Sequence, residues 1–141
     1  MTGQTPVLRA LAVPGSMVDN TDPSTPRLLA GHCEGCRITA FPAPAQCPRC
    51  LRSPLPPRAL PTEGILYSYS VVHVGPSGWP VPYTVGYVDL PGDVRVFAHV
   101  ADTDESVLRP DLPVRLDLAA AGDGAYRATW RSREGAEVAR A

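Results

Sequence analysis

The sequence predicts a mainly β protein with little helix, and three observations lead to this expectation. The chain has 141 residues, of which 17 are proline, about twice the ordinary share of roughly 5%. Because proline interrupts helices, this spacing leaves no long uninterrupted stretch before residue 114. From residue 62 onward, apolar and polar residues alternate in short runs, which is the period of a β-strand. Four cysteines lie in two pairs before that point, so we expect a cysteine-rich module followed by a β domain.

The β domain is expected to contain five strands. The first run alternates strictly, so Ile65, Tyr67, Tyr69 and Val71 are expected to share one face. A Pro91-Gly92-Asp93 turn joins the second and third runs into a hairpin. A helix of at most two turns is expected between Asp102 and Pro110. The five runs are 65–72, 84–90, 94–99, 114–118 and 126–130. Five strands with a short helical link between the third and fourth are typical of an OB-fold barrel, although periodicity does not separate this fold from a small open β-sandwich.

The cysteines form the most specific motif in the chain. Cys33-Glu34-Gly35-Cys36 is followed, after ten residues, by Cys47-Pro48-Arg49-Cys50. Two residues between cysteines allow one tight turn to direct both sulfurs to one point, and two such turns complete a tetrahedral tetrathiolate site. The spacing therefore predicts a rubredoxin-like zinc ribbon with structural zinc, because four protein ligands leave no position open for water. Iron could occupy the same site. Disulfides would need an oxidising compartment, and a redox Cys-x-x-Cys would need a βαβ context that the pattern lacks.

The charge distribution excludes several classes of function. The chain has no lysine, which excludes Schiff-base catalysis and the P-loop lysine. Its net charge is -1, but residues 1–61 carry six arginines against three acidic residues, and residues 62–141 carry seven against eleven. The predicted barrel is therefore acidic. The N-terminus does not resemble a signal peptide and no apolar run is long enough to span a membrane, so the expected location is the cytoplasm.

The composition divides the chain into four parts. Residues 1–26 are rich in Pro, Thr, Asp and Gly and are expected to form an irregular N-terminal arm. Residues 27–61 are the predicted zinc ribbon, 62–133 the OB-fold barrel, and 134–141 a C-terminal tail.

The order of these motifs resembles a known family. A ribbon with Cys33 and Cys36, a Phe41-Pro42-Ala43-Pro44 linker and Cys47-Pro48-x-Cys50 precede a glycine-led strand at 64–72 and the segment Pro82-Tyr83-Thr84-Val85-Gly86. Residues 27 to 131 thereby resemble the zinc-ribbon/OB-fold proteins of domain-of-unknown-function family 35. The resemblance implies a non-catalytic accessory subunit that associates with a thiolase-fold acyl-CoA enzyme, such as a thiolase, an acyltransferase or an aldolase. It also implies a second alternative, an accessory to a hot-dog-fold enoyl-CoA hydratase.

Four residues outside the cysteine motif are candidate contacts to a partner or an acyl-CoA ligand. Trp79 lies on a proline-rich loop between the first two strands, beside the ligand-binding face of an OB fold, and tryptophan is favoured at binding hot spots. Tyr83 follows this loop. Arg127 and Arg131 are candidates for bidentate contacts to CoA phosphates, although a solvated strand edge is the alternative interpretation.

Two other functions are alternatives to the accessory role. OB folds often bind single-stranded nucleic acid through a basic groove with stacking aromatic residues, but the acidic barrel opposes the electrostatic attraction on which such binding depends. The aromatic residues of the strands, Tyr67, Tyr69, Tyr83, Tyr87 and Phe97, are therefore interpreted as core. Catalysis by this chain alone is disfavoured, because no Gly-x-Ser-x-Gly motif is present and no cysteine is left outside the metal motif. His99 is interpreted as a hydrogen-bonded structural residue.

Overall fold

The predicted β domain is a closed barrel in the computed structural model, which describes residues 12–75, 77, 81–101, 106–122 and 124–133. Its five strands are β6 (Glu63–Val72), β7 (Tyr83–Leu90), β8 (Val94–Val100), β9 (Leu112–Gly122) and β10 (Ala125–Ser132). They hydrogen-bond in the order β10-β8-β7-β6-β9, and β9 also pairs with β10. This last pairing closes the ring, so the barrel is an OB fold and the open sandwich is excluded.

The pairing directions also follow the OB pattern. All neighbouring strands of the barrel are antiparallel except β8 and β10, which run parallel through Thr129 opposite His99 and Trp130 opposite Val100. The helix expected from Asp102 falls mostly on residues 102–105, which lie outside the described residues. The described part of that link, 106–111, consists of turns and irregular backbone.

A bulge in β6 corrects the expected face assignment of the first strand. Leu66 pairs with Val88 but Ser68 pairs with Tyr87, so Tyr67 is an additional residue in the ladder. An extra residue reverses the alternation beyond it. Ile65 and Tyr67 are therefore exposed, whereas Tyr69 packs against the core together with Val71. The four residues do not share one face, because their strict alternation in sequence crosses the bulge.

The ribbon is built around one central strand. β3 (Arg27–Cys33) pairs with β2 (Val18–Asp19), with β4 (Ile38–Ala40) and with β5 (Pro57–Ala59), always antiparallel. β4 and β5 bracket the segment that contains the second cysteine pair. The sheet therefore holds the backbone on both sides of each cysteine pair.

Part of the N-terminal segment that the sequence predicts to be irregular forms regular structure. β1 (Ala12–Pro14) pairs with β10, one 3-10 turn follows at Gly15–Met17, and β2 then joins the ribbon sheet. Val13 and Val18 are both buried, and burial of these two valines explains why so short a segment is ordered without any periodic pattern. The four-part division of the chain stays a prediction. It assigns β1 to the N-terminal arm, whereas β1 pairs with the barrel strand β10.

Ribbon and barrel share one hydrophobic core. Leu28, Ala30 and Leu60 of the ribbon belong to the same buried cluster as the barrel interior. The largest side chains with less than 2% exposure are Trp130, Leu60, Leu66, Leu112, Val88, Val96, Val100 and Val114. No helix within the described ranges has the length and apolar character that a membrane crossing would require.

Candidate metal centre

The four cysteines meet at one end of the ribbon. Their sulfur atoms all lie within 4.8 Å of one another, and the Sγ atoms of Cys33 and Cys50 are 3.6 Å apart. A tetrahedron with metal–sulfur bonds of about 2.3 Å has edges of about 3.8 Å. The cluster therefore has the size of a tetrathiolate metal site, as the spacing predicts.

The two Cys-x-x-Cys turns have the same backbone geometry. In the first, the amide of Arg37 donates to the carbonyl of Cys33 at 2.6 Å, and in the second, Leu51 donates to Cys47 at 2.9 Å. Arg37 and Leu51 both adopt the left-handed region, with φ of 61° and 65°. This conformation is costly for residues other than glycine and is retained where the surrounding structure requires it. The same type of hydrogen-bonded turn thus holds each pair of sulfurs.

Backbone amides support the first sulfur of each pair. Cys36 donates to the Sγ of Cys33 at 3.5 Å, and Arg49 and Cys50 donate to the Sγ of Cys47 at 3.4 and 3.5 Å. The amides of Cys50 and Arg49 lower the pKa of Cys47 to about 6. In contrast, the pKa of Cys36 is raised to about 12 by the hydrogen bond between Cys36 and Cys50 and by desolvation. Thiols this close cannot all ionise without a cation between them, and thiolates are the donors that zinc and iron prefer.

An arginine covers the first turn. A Cβ atom at Gly35 would lie 3.0 Å from Nη1 of Arg52, so the guanidinium rests directly on the backbone of the Cys33–Cys36 turn. Glycine at this position makes that close approach possible. The arrangement places a positive charge beside a cluster that carries four thiolates when it holds a metal.

The other candidate contact residues do not form a single site. Trp79 lies outside the described residues. Tyr83 is half-buried at the start of β7, where its ring is 3.6 Å from the position that a Cβ of Gly75 would occupy. Arg127 pairs with Ala12 of β1, so it does not lie on a free strand edge. The Nε of Arg131 donates to the Oδ2 of Asp117 at 2.9 Å. The role of all four candidate residues in ligand binding stays a prediction.

The barrel surface carries a set of exposed side chains that the sequence interpretation placed in the core. Tyr67, Tyr87 and Phe97 are 51%, 45% and 55% exposed. The rings of Tyr87 and Phe97 contact edge to face, with centroids 5.3 Å apart. The guanidinium of Arg95 lies 3.7 Å from the centroid of Tyr67 and pairs with Asp89 through two hydrogen bonds of 2.6 and 3.0 Å. We call Tyr67, Tyr87, Arg95 and Phe97 the aromatic face.

A signal for the aromatic face was present in the hairpin sequence. Asp89 and Arg95 alternate in phase with Tyr87 and Phe97, opposite to an aliphatic set of Val88, Leu90, Val94, Val96 and Ala98. A charged pair in the same phase as two aromatic residues indicates that the aromatic residues point outward.

His99 also differs from its interpretation as a hydrogen-bonded residue. Its Nδ1 is buried and has no hydrogen-bond partner within the described part of the chain, and desolvation lowers the pKa of its imidazole. The side chain borders a small cavity of about 50 Å³, whose lining includes Phe41 of the ribbon and Trp130 of the barrel.

A cluster of four cysteines on a ribbon, followed by a closed OB barrel, defines a class of small two-module β proteins. A family described as the ChsH2 C-terminal OB-fold domain matches residues 57–119. The benzoylsuccinyl-CoA thiolase subunit BbsA of Thauera aromatica is 33% identical over 102 residues, which cover 72% of this chain and 70% of the relative. A DUF35 domain-containing scaffold protein of Methanocaldococcus jannaschii is 31% identical over 53% of this chain and 55% of its own length.

A solved structure shares the architecture. The structure described as the Ltp2-ChsH2(DUF35) aldolase superposes with a TM-score of 0.64 at 25% identity, over 75% of this chain and 84% of that one. The chain therefore belongs to the DUF35 family, as its motif order predicts.

Proposed function

We propose that this chain is a non-catalytic accessory subunit that assembles with a thiolase-fold acyl-CoA enzyme. One observation carries the proposal: the chain is 33% identical to a protein that is itself a thiolase subunit, over most of both sequences. The solved relative described as the Ltp2-ChsH2(DUF35) aldolase supports an enzyme as the partner. The whole activity, including the acyl-CoA chemistry, then resides in the partner, and this chain contributes to assembly.

Zinc is the proposed occupant of the cysteine cluster. The ligands would be Cys33, Cys36, Cys47 and Cys50, whose sulfur separations suit a tetrahedral site. Zinc bound in this way supplies folding free energy and no open coordination position. The side chain of Arg52 would offset part of the negative charge of four thiolates, which exceeds that of the cation by two. The cytoplasm is the proposed location, because thiols stay reduced there.

Trp79, Tyr83, Arg127 and Arg131 remain proposed contacts to the partner or its acyl-CoA. Arg127 and Arg131 are four residues apart on β10, so they project to the same side of that strand. Tyr83 is the first residue of β7, and Trp79 falls in sequence between β6 and β7.

Affinity purification from the native host tests the assembly. The chain carries a C-terminal tag, the tag alone is the control, and captured proteins are identified by mass spectrometry. We expect a thiolase-fold protein in near-stoichiometric amount. Recovery of a hot-dog-fold hydratase in its place would favour the second alternative, and a chain that elutes as a monomer with neither protein would overturn the proposal.

A further inference from the structure

The aromatic face brings together three of the large apolar side chains that are exposed among the described residues of the barrel. Its three rings and Ile65, which is 39% exposed, lie on the outer side of three neighbouring strands. The register places Tyr87 opposite Phe97, and Ile65 opposite Asp89. Adjacent exposed apolar side chains on a folded domain mark interaction sites, whereas single ones are normal.

The side chains of this face are already fixed in one arrangement. Tyr87 and Phe97 contact edge to face, and Arg95 is held between the ring of Tyr67 and the carboxylate of Asp89. Ordered side chains lose little conformational entropy when a partner covers them. Tyrosine and arginine are also the residues most often found, with tryptophan, at the energetic centres of protein interfaces.

The charges around the face decide what kind of molecule can cover it. The strands β6, β7 and β8 with the β7–β8 turn carry three acidic residues, Glu63, Asp89 and Asp93, against the single arginine Arg95. Asp89 is paired with Arg95 and Glu63 lies 3.5 Å from Arg133. Asp93 forms no ion pair among residues that the structure describes. Nucleic-acid phosphates would be repelled by this surface, and a second copy of the chain would bring an equally acidic surface against it.

Two shallow clefts extend the acidic character beside the face. One, of about 380 Å³, is lined by Asp89, Asp93 and Arg95 among others. The second, of about 450 Å³, is lined by Ile65 and by the charged residues Glu63, Asp89 and Arg133. Each cleft therefore carries two carboxylates against one arginine. Both open at the end of the barrel where β7 turns into β8. A protein surface with an apolar centre and basic side chains at its border would be complementary to this combination.

We infer that the aromatic face, with the acidic clefts beside it, is the surface through which the barrel docks on its thiolase-fold partner, and that the docked partner surface is apolar with arginine or lysine at its border. The inference rests on the proposed function for the class of partner. It adds to that function the location of the interface and the chemistry of the opposing surface.

Binding measurements with substituted chains test the inference. The probe is the thiolase-fold protein recovered with the tagged wild-type chain, and surface plasmon resonance gives both rate constants. Tyr87→Thr and Phe97→Thr, singly and together, remove the rings and keep residues that favour strands. Each single substitution is expected to raise Kd by about 30-fold, mainly through faster dissociation.

Asp93→Asn tests the charge separately. Asparagine tolerates the left-handed conformation of this residue, whose φ is 63°. We expect slower association and a weaker salt dependence with an almost unchanged dissociation rate, because a border charge acts on the encounter of the two proteins.

Arg58→Thr is the matched control, since Arg58 is exposed on β5 of the ribbon and belongs neither to the aromatic face nor to the connection between β6 and β7. It should bind like the wild-type chain. Circular dichroism and metal content confirm that every variant is folded, and the single substitutions remain informative if the double variant is unstable.

The outcomes separate the inference from the proposed function. If the wild-type chain binds the thiolase-fold protein and the threonine variants bind equally well, the docking surface lies elsewhere and the proposed function stands. If the wild-type chain captures no such protein, both fail. A homodimer that the threonine substitutions dissociate, or tight binding of oligo(dT) that they abolish, would also overturn the inference by assigning the face to a different occupant.

Discussion

Gly86, in the middle of β7, is a position where one added methyl group should disrupt the barrel. A Cβ atom there would overlap the carbonyl oxygen of Ser68, and would lie 3.1 Å from Cδ1 of Leu66 and 3.3 Å from Cα of Tyr69. Two of these three atoms belong to the backbone of β6 at its bulge. The strand itself, and not a flexible side chain, would have to move in Gly86→Ala.

The expected cost follows from these contacts. Overpacking of a well-packed interior costs about 1–3 kcal/mol, and the upper part of that range applies because backbone blocks the methyl group. The substitution also lowers the entropy of the unfolded chain, which returns about 0.4–1 kcal/mol. We therefore expect Gly86→Ala to lower the free energy of unfolding by about 1–2.5 kcal/mol.

Gly75→Ala is the matched control. Its Cβ would meet Val81 and Tyr83 at 3.5 to 3.7 Å, which is ordinary van der Waals contact, so this substitution should be neutral or stabilise by up to about 1 kcal/mol. Urea titrations with excess zinc, followed by tryptophan fluorescence, measure both effects. Equal stability of Gly86→Ala and the wild-type chain, or an equal loss in Gly75→Ala, would refute the steric reasoning.

Three further predictions concern the metal, a histidine and nucleic acid. Metal analysis of freshly reduced protein should find about one zinc per chain and much less in Cys36→Ser, because removal of one ligand uncouples metal binding from folding of the ribbon; metal-free wild-type protein would contradict this. His99 has a lowered pKa in the folded chain, so the unfolded chain takes up a proton first as the pH falls below about 6.5, and the free energy of unfolding should decrease. Denaturant titrations at pH 7.5 and 5.5 should show that the free energy of unfolding decreases less in His99→Gln than in the wild-type chain. An equal decrease in both chains would argue against the burial effect. Fluorescence anisotropy with oligo(dT) should show weak binding at physiological salt, whereas tight binding with a steep salt dependence would favour the nucleic-acid function.

Strands such as β8 could be predicted from sequence because they are buried on one side only. Val94, Val96 and Ala98 alternate with exposed residues along β8, and this pattern is visible without knowledge of the partner strands. Closure of the barrel could not be predicted in the same way, because it depends on β10 pairing with both β8 and β9. The bulge at Tyr67 is equally hidden, since an inserted residue changes which side chains face inward without changing the order of polar and apolar residues.

The clustering of the cysteines was predictable for a related reason. The four cysteines lie within residues 33–50, and the spacing of each pair restricts where the sulfurs can point. The aromatic face depends instead on register between three strands, which brings Arg95 of β8 over Tyr67 of β6. Composition suggested that aromatic residues in a small barrel fill its interior, but Leu66, Val88 and Val96 already fill it.

The pairing of β1 with β10 limits when β1 can form its hydrogen bonds during synthesis of the chain. Val13 is opposite Tyr126, so a segment made early during synthesis waits for one of the last strands before it can be fixed. The cysteine turns need no such delay, because all their residues emerge close together. A fragment beginning at residue 62 would contain all five barrel strands but would leave part of β10 without its outer neighbour, and that newly exposed backbone would be open to pairing with another molecule.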